Sequence, residues 1–101
     1  VQQALVILEG RLTQPLAVED LAGQVHVSAS HLTALFRAAV GVPPVQYQKR
    51  ARLRQAERLL RNPHLTVKEV ARACGYEDGS YFVRLFRQRY GQPPQRWRKM
   101  A

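Results

Sequence analysis

Residues 65–94 read LTVKEVARACGYEDGSYFVRLFRQRYGQPP, and residues 16–44 read LAVEDLAGQVHVSASHLTALFRAAVGVPP. The two stretches are one pattern written twice. Leu16 pairs with Leu65, Val18 with Val67, Ala22 with Ala71 and Val27 with Tyr76. After one extra residue in the second copy, Ser30 pairs with Ser80, Leu35 with Leu85, Phe36 with Phe86 and Arg37 with Arg87. Gly41 pairs with Gly91, Pro43 and Pro44 with Pro93 and Pro94, and Tyr47 with Trp97. Matching apolar, Gly and Pro positions over this length mark two copies of one supersecondary unit. Each copy reads as two helices joined by a tight turn.

Working outward, the periodicity predicts about seven helices and no sheet. Residues 3–12 carry Ala4, Leu5, Ile7, Leu8 and Leu12, a helical stripe. Residues 18–25 form a short helix with Leu21, Ala22 and Val25 inward. Ser28 caps a helix to about Val40, whose buried stripe is Leu32, Leu35, Phe36 and Val40, and Gly41 stops it. Pro44 opens a long helix to about Leu60, since proline suits the first helical turn. Thr66-Val67-Lys68-Glu69 is a capping box for a helix to about Cys74. Asp78 caps the next helix to about Tyr90, and Pro94 starts a last short one through Trp97. Leu53, Ala56, Leu59 and Leu60 are expected to bury against both lobes. Residues 1–43 are expected to form a first helix-turn-helix lobe, 44–61 a linker helix and 62–101 a second lobe. Ala22 and Ala71 sit where two helices cross. Four residues on comes a turn that favours a positive φ. The second copy has Gly75 there and the first has His26, so the first turn is expected to be strained.

Composition narrows the partners. The net charge is +9 and unevenly placed: residues 1–48 sum to −1 and residues 49–101 to +10. Such a field draws polyanions, which admits DNA, RNA or anionic lipid. No apolar run approaches the ~20 residues that span a bilayer. Residues 1–12 contain Gln2, Gln3, Glu9 and Arg11 and do not form a signal peptide. The absence of an initiating Met predicts a fragment of a longer chain. One cysteine, Cys74, excludes an internal disulfide and a multi-thiolate metal site, and its apolar setting predicts a core thiol. His26, His31 and His64 lack metal-ligand spacing. No cofactor is expected, and no nucleophile–base pair, acid pair or phosphate loop suggests an enzyme.

At residues 75–98, GYEDGSYFVRLFRQRYGQPPQRWR, the chain resembles the C-terminal signature of the AraC/XylS family of bacterial transcription regulators. Residues 51–60, ARLRQAERLL, resemble that family's linker helix. The resemblance covers nearly the whole chain. It implies a cytoplasmic DNA-binding domain with two recognition helices, residues 28–40 and 78–90. It also implies a further N-terminal domain for effector binding or dimerisation, and contact with RNA polymerase.

Carried over by position, the groove-facing residues are Ser30, His31, Thr33, Ala34 and Arg37 in the first helix. In the second they are Gly79, Ser80, Tyr81, Val83, Arg84 and Arg87. Periodicity agrees, because Leu32, Leu35 and Phe36, and likewise Phe82, Leu85 and Phe86, take the opposite face. Arg84 can donate two hydrogen bonds to the O6 and N7 edge of guanine; its alternatives are a phosphate contact or a solvated arginine. His31, Arg37, Lys68 and Arg87 are candidates for phosphate. Ser30, Thr33 and Ser80 can bond to bases or water, and Ala34 and Val83 can touch a thymine methyl. The small residues of the first helix offer fewer strong readers. Most of the basic run Lys49, Arg50, Arg52, Arg54, Arg58 and Arg61 is expected to be solvated or paired. The resemblance thus predicts sequence-specific binding of double-stranded DNA. The recognition helices enter successive major grooves, ~34 Å apart, on an asymmetric site. A non-specific architectural or RNA-binding protein would expose its aromatics, whereas here they fall on core positions.

Overall fold

The computed structural model describes residues 1–100 and is all helical across them. In order come α1 (Gln2–Gly10), α2 (Val18–Gln24), α3 (Ala29–Val40), α4 (Pro44–Leu60), α5 (Val67–Ala73), α6 (Gly79–Tyr90) and α7 (Pro94–Met100). Helix α1 stops two residues short of its apolar stripe, and α7 runs three residues past Trp97. The chain divides into two compact units, residues 1–51 and 52–101, with the boundary inside α4.

The first unit packs α1, α2, α3 and the start of α4 around Ala4, Leu8, Leu21, Ala22, Leu32 and Phe36. Ser28 ends the turn and starts α3, its side chain accepting from the His31 N–H at 3.1 Å. Tyr47, on α4, meets the Phe36 ring edge-on at 6.0 Å between centroids. The buried Gln48 donates through Nε2 to the carbonyls of Leu12 and Gln14, at 3.5 and 2.8 Å. These bonds satisfy an amide whose burial would otherwise cost about 1–3 kcal/mol.

The second unit repeats the plan with the end of α4, α5, α6 and α7. Its core is Leu53, Ala56, Leu60, Val70, Ala71, Cys74, Tyr76, Phe82 and Phe86. Thr66 and Glu69 form the reciprocal capping box, both bonds at 3.0 Å. The Thr66 backbone N–H, then its hydroxyl, hold the Glu69 carboxyl below the usual carboxylate range. Trp97 meets Phe86 edge-on at 5.7 Å, as Tyr47 meets Phe36. Arg98 stands where Gln48 stands in the first copy, four residues after the matching proline. It donates from Nε to Leu60 O at 2.8 Å and from Nη2 to Asn62 O at 3.5 Å. In both units, then, a side chain of the trailing helix ties down carbonyls at or just beyond the end of the leading one. Burial pushes the Cys74 thiol up to about 11, outweighing the pull of Arg52 and Arg58. It is a core thiol, as its apolar setting predicts.

Leu53, Ala56 and Leu60 belong to the second core, with Leu59 packed against it. The first unit takes the earlier turns of α4, through Tyr47 and Gln48. A 17-residue helix presents different residues to each core, and periodicity alone does not say where one set gives way to the next.

Candidate nucleic-acid interface

The turns that lead into α3 and α6 share one backbone bond pattern. The Val27 N–H donates to Ala22 O at 3.0 Å, and the Tyr76 N–H to Ala71 O at 2.9 Å. The preceding residue is left-handed in both: His26 at φ 63° and Gly75 at φ 93°. His26 is the one non-glycine residue at positive φ among the described residues. The strain expected from the repeat is present. Gly41 and Gly91 close α3 and α6 at φ 84° and 80°, donating to Arg37 O and Arg87 O. Each copy therefore fixes both ends of this helix with the same backbone devices.

On α3, Leu32 and Phe36 are fully buried, while Ser30, His31, Ala34 and Arg37 are exposed. Thr33 is half-buried, and its hydroxyl donates to Ala29 O at 3.0 Å. That back-bond occupies the only proton the side chain can donate, leaving it an acceptor.

On α6, Phe82 and Phe86 are fully buried, while Ser80, Arg84 and Arg87 are exposed. Gly79, Tyr81 and Val83 are half-buried. Asp78 caps this helix, accepting from Ser80 N at 2.9 Å and Tyr81 N at 3.4 Å. A shallow open depression at the start of α6 is lined by Lys68 of α5 together with Glu77, Asp78, Gly79, Ser80 and Val83. The second unit thus gathers its predicted contact residues on α6 and the start of α5. The predicted contact residues of the first unit all lie on α3.

Two placements had no counterpart in the sequence reading. The Arg84 guanidinium lies over the Tyr81 ring, 5.5 Å from its centroid. Arg52, expected to be solvated or paired, lies over the Tyr76 ring at 5.0 Å. The three-residue spacing of Tyr81 and Arg84 puts them on one helical face and carried the signal for the first pair. Nothing in the spacing of Arg52 and Tyr76 carried the second.

Charge is divided as the units are. Residues 1–51 hold four Lys/Arg against three acidic residues, net +1; residues 52–101 hold twelve against four, net +8. Arg61 pairs with Glu57 at 3.5 Å on an exposed face, a contact of little energetic weight. Among the described residues no helix is long and apolar enough to cross a membrane.

A family model described as a helix-turn-helix domain matches residues 21–100. The chain is similar to the uncharacterized HTH-type transcriptional regulator YfiF of Bacillus subtilis. Identity is 32% over 93 residues, covering 92% of this chain and 29% of that protein. Among solved structures it is similar to a transcriptional regulator with an AraC-type DNA-binding domain from Chromobacterium violaceum. There, identity is 28% and the TM-score 0.88, over 97% of this chain and 88% of that one. It is also similar to the DNA-binding domain of AdpA, a global transcriptional factor, in complex with a target DNA. That match has 28% identity and a TM-score of 0.89, over 98% of this chain and 89% of that one. The chain spans between 25% and 36% of the length of the curated relatives it matches.

Proposed function

The chain belongs to the AraC/XylS-type helix-turn-helix family, and from that premise we propose that it is the sequence-reading output domain of a bacterial transcription regulator. In this reading α3 and α6 enter successive major grooves of one duplex, and the site is asymmetric because the two helices differ. The observation that carries it is α6: a helix with Phe82 and Phe86 buried on one face and Arg84 exposed on the other, in a unit of charge +8.

Arg84 is the principal reader, forking onto the O6 and N7 of a guanine. Ser80, Tyr81 and Val83 flank it, and Gly79 lets the helix start approach the groove wall. Ser30 and Thr33 read from α3, Thr33 as an acceptor only, and Ala34 offers contact to a thymine methyl. His31, Arg37, Lys68 and Arg87 hold phosphates and set register rather than sequence. RNA polymerase is the proposed protein partner. Effector binding or dimerisation belongs to a further domain, and the working compartment is the bacterial cytoplasm. DNA-binding domains of regulators are what this chain resembles, and the proposal gives these residues a binding role and no catalytic one.

Selection of bound duplexes from a randomised pool, followed by footprinting, tests the proposal. A single enriched motif without two-fold symmetry, protected over two turns of one face, is the expected result. Enrichment of no motif, with equal affinity for random duplex, would leave only non-specific binding. Arg84→Ala should cost about 1–3 kcal/mol on the selected site and relax selectivity at one or two base pairs. Equal losses on selected and scrambled duplexes would make Arg84 a phosphate clamp.

A further inference from the structure

Four side chains of the second unit form one chain of aromatic and cation–π contacts that ends at the proposed reader. Arg52, on α4, lies over the Tyr76 ring at 5.0 Å. Tyr76, the first residue after the left-handed Gly75, meets Tyr81 edge-on, 6.0 Å between centroids and 66° between planes. The Tyr81 ring in turn carries the Arg84 guanidinium at 5.5 Å. Tyr76 is only 6% exposed, so this chain of contacts is founded in the core and ends at the surface. Both cations lie within the ~6 Å at which the negative ring face attracts them.

The matching positions of the first unit hold neither tyrosine nor arginine. Val27, His31 and Ala34 occupy the positions of Tyr76, Tyr81 and Arg84. The difference therefore lies in what the two copies display, not in how they are scaffolded.

We propose that Tyr81 is a specificity-determining positioning residue: its ring, braced by Tyr76 and Arg52, holds the Arg84 guanidinium in the orientation from which it reads a base. An arginine on an exposed helix face otherwise samples many rotamers, and ordering it on binding opposes affinity. A ring beneath the guanidinium orders it before DNA arrives. With the guanidinium carbon over the ring, the N–H groups on its far side stay free to fork onto guanine. The proposal rests on Arg84 as the base reader. It gives the groove-facing Tyr81 a role that acts through Arg84 rather than by a contact of its own.

The test compares Tyr81→Leu, Tyr81→Phe and Arg84→Ala, with the Tyr81→Leu/Arg84→Ala double variant, on the duplex selected by the protein itself. The comparison duplexes change single base pairs of that site. Tyr81→Leu is expected to reduce discrimination about 2- to 5-fold at the base pair read by Arg84, the size of an exposed cation–π contact. Tyr81→Phe keeps the ring and is expected to restore it. In the Arg84→Ala background, Tyr81→Leu should change discrimination no further. In the free protein, the Arg84 Nε–Hε resonance should carry an upfield ring-current shift, lost in Tyr81→Leu and kept in Tyr81→Phe. If Tyr81→Leu lowers stability, Tyr81→Met serves as the second non-aromatic variant. A loss in Tyr81→Phe equal to that in Tyr81→Leu would overturn the proposal in favour of a hydroxyl contact. So would an effect of Tyr81→Leu that persists without Arg84, or an Arg84 resonance indifferent to the ring. Failure of the underlying reading looks different: Arg84→Ala itself would leave discrimination unchanged while the ring-current shift remained.

Discussion

His26→Gly is expected to stabilise the protein. The residue sits at φ 63°, where the Cβ of an L-amino acid crowds the backbone at a cost of roughly 1–2 kcal/mol. Glycine removes that cost but gives the unfolded chain more freedom, worth about 0.5–1 kcal/mol. The His26 side chain is exposed, so little packing is lost with it. The backbone bonds of the turn, His26 N to Gly23 O and Val27 N to Ala22 O, need no side chain and survive. The net gain is up to about 1 kcal/mol, or about 4–8 °C in melting temperature for a chain of this size. Gly75 provides the mirror experiment. Its φ is 93°, and Gly75→Ala should destabilise by about 1 kcal/mol or more. Thermal and urea unfolding followed by circular dichroism measure both, and titration with duplex should show His26→Gly binding as before. A lower melting temperature for His26→Gly would refute the reasoning. It would mean that the imidazole makes a contact outweighing the backbone strain.

Other perturbations separate the roles of neighbouring residues. Leu60 is fully buried and Leu59 only half, so Leu60→Ala should cost about 2–5 kcal/mol in urea unfolding and Leu59→Ala clearly less; equal costs would count against the core assigned here. With its thiol pushed to about 11 by burial, Cys74 should react with a disulfide reagent at pH 8 only as fast as the second unit opens. Fast stoichiometric labelling of the folded protein would contradict that. Arg87→Ala should weaken selected and scrambled duplexes alike and lower the slope of log affinity against log salt by about 1, whereas a change of selectivity would make it a base reader. Four helix-forming residues inserted after Arg54 should sharply reduce affinity for the selected site, and unchanged affinity would show the units binding independently.

Much of this was legible because the signals are local. Ser28, Thr66 and Asp78 cap helices within three residues of themselves, and Gly41 and Gly91 end helices by backbone geometry alone. Pairing His26 with Gly75 located a strained turn because the repeat transfers backbone conformation along with side chains. What escaped the sequence acts across distance or depends on a rotamer. The bonds of Gln48 and Arg98 join residues 34 to 38 positions apart. A basic residue near an unrelated carbonyl leaves no periodic trace. Thr33 turned its hydroxyl onto its own helix, a choice between staggered rotamers that composition does not record. The placing of Arg84 over the Tyr81 ring was open to a spacing argument, but the support from Arg52 and Tyr76 needed the fold.

Helix α4 has a consequence for anyone who would take the protein apart. Its first turns complete one unit and its last turns open the other, so there is no seam in the chain at which to cut. A protease or a cloning boundary placed between Ala51 and Arg52 would leave two frayed helix ends, each with backbone groups newly stripped of partners. Fragments meant to fold separately would have to overlap, the first running through Leu60 and the second beginning at Pro44. Seventeen residues would then be present in both pieces, though the intact chain carries them once.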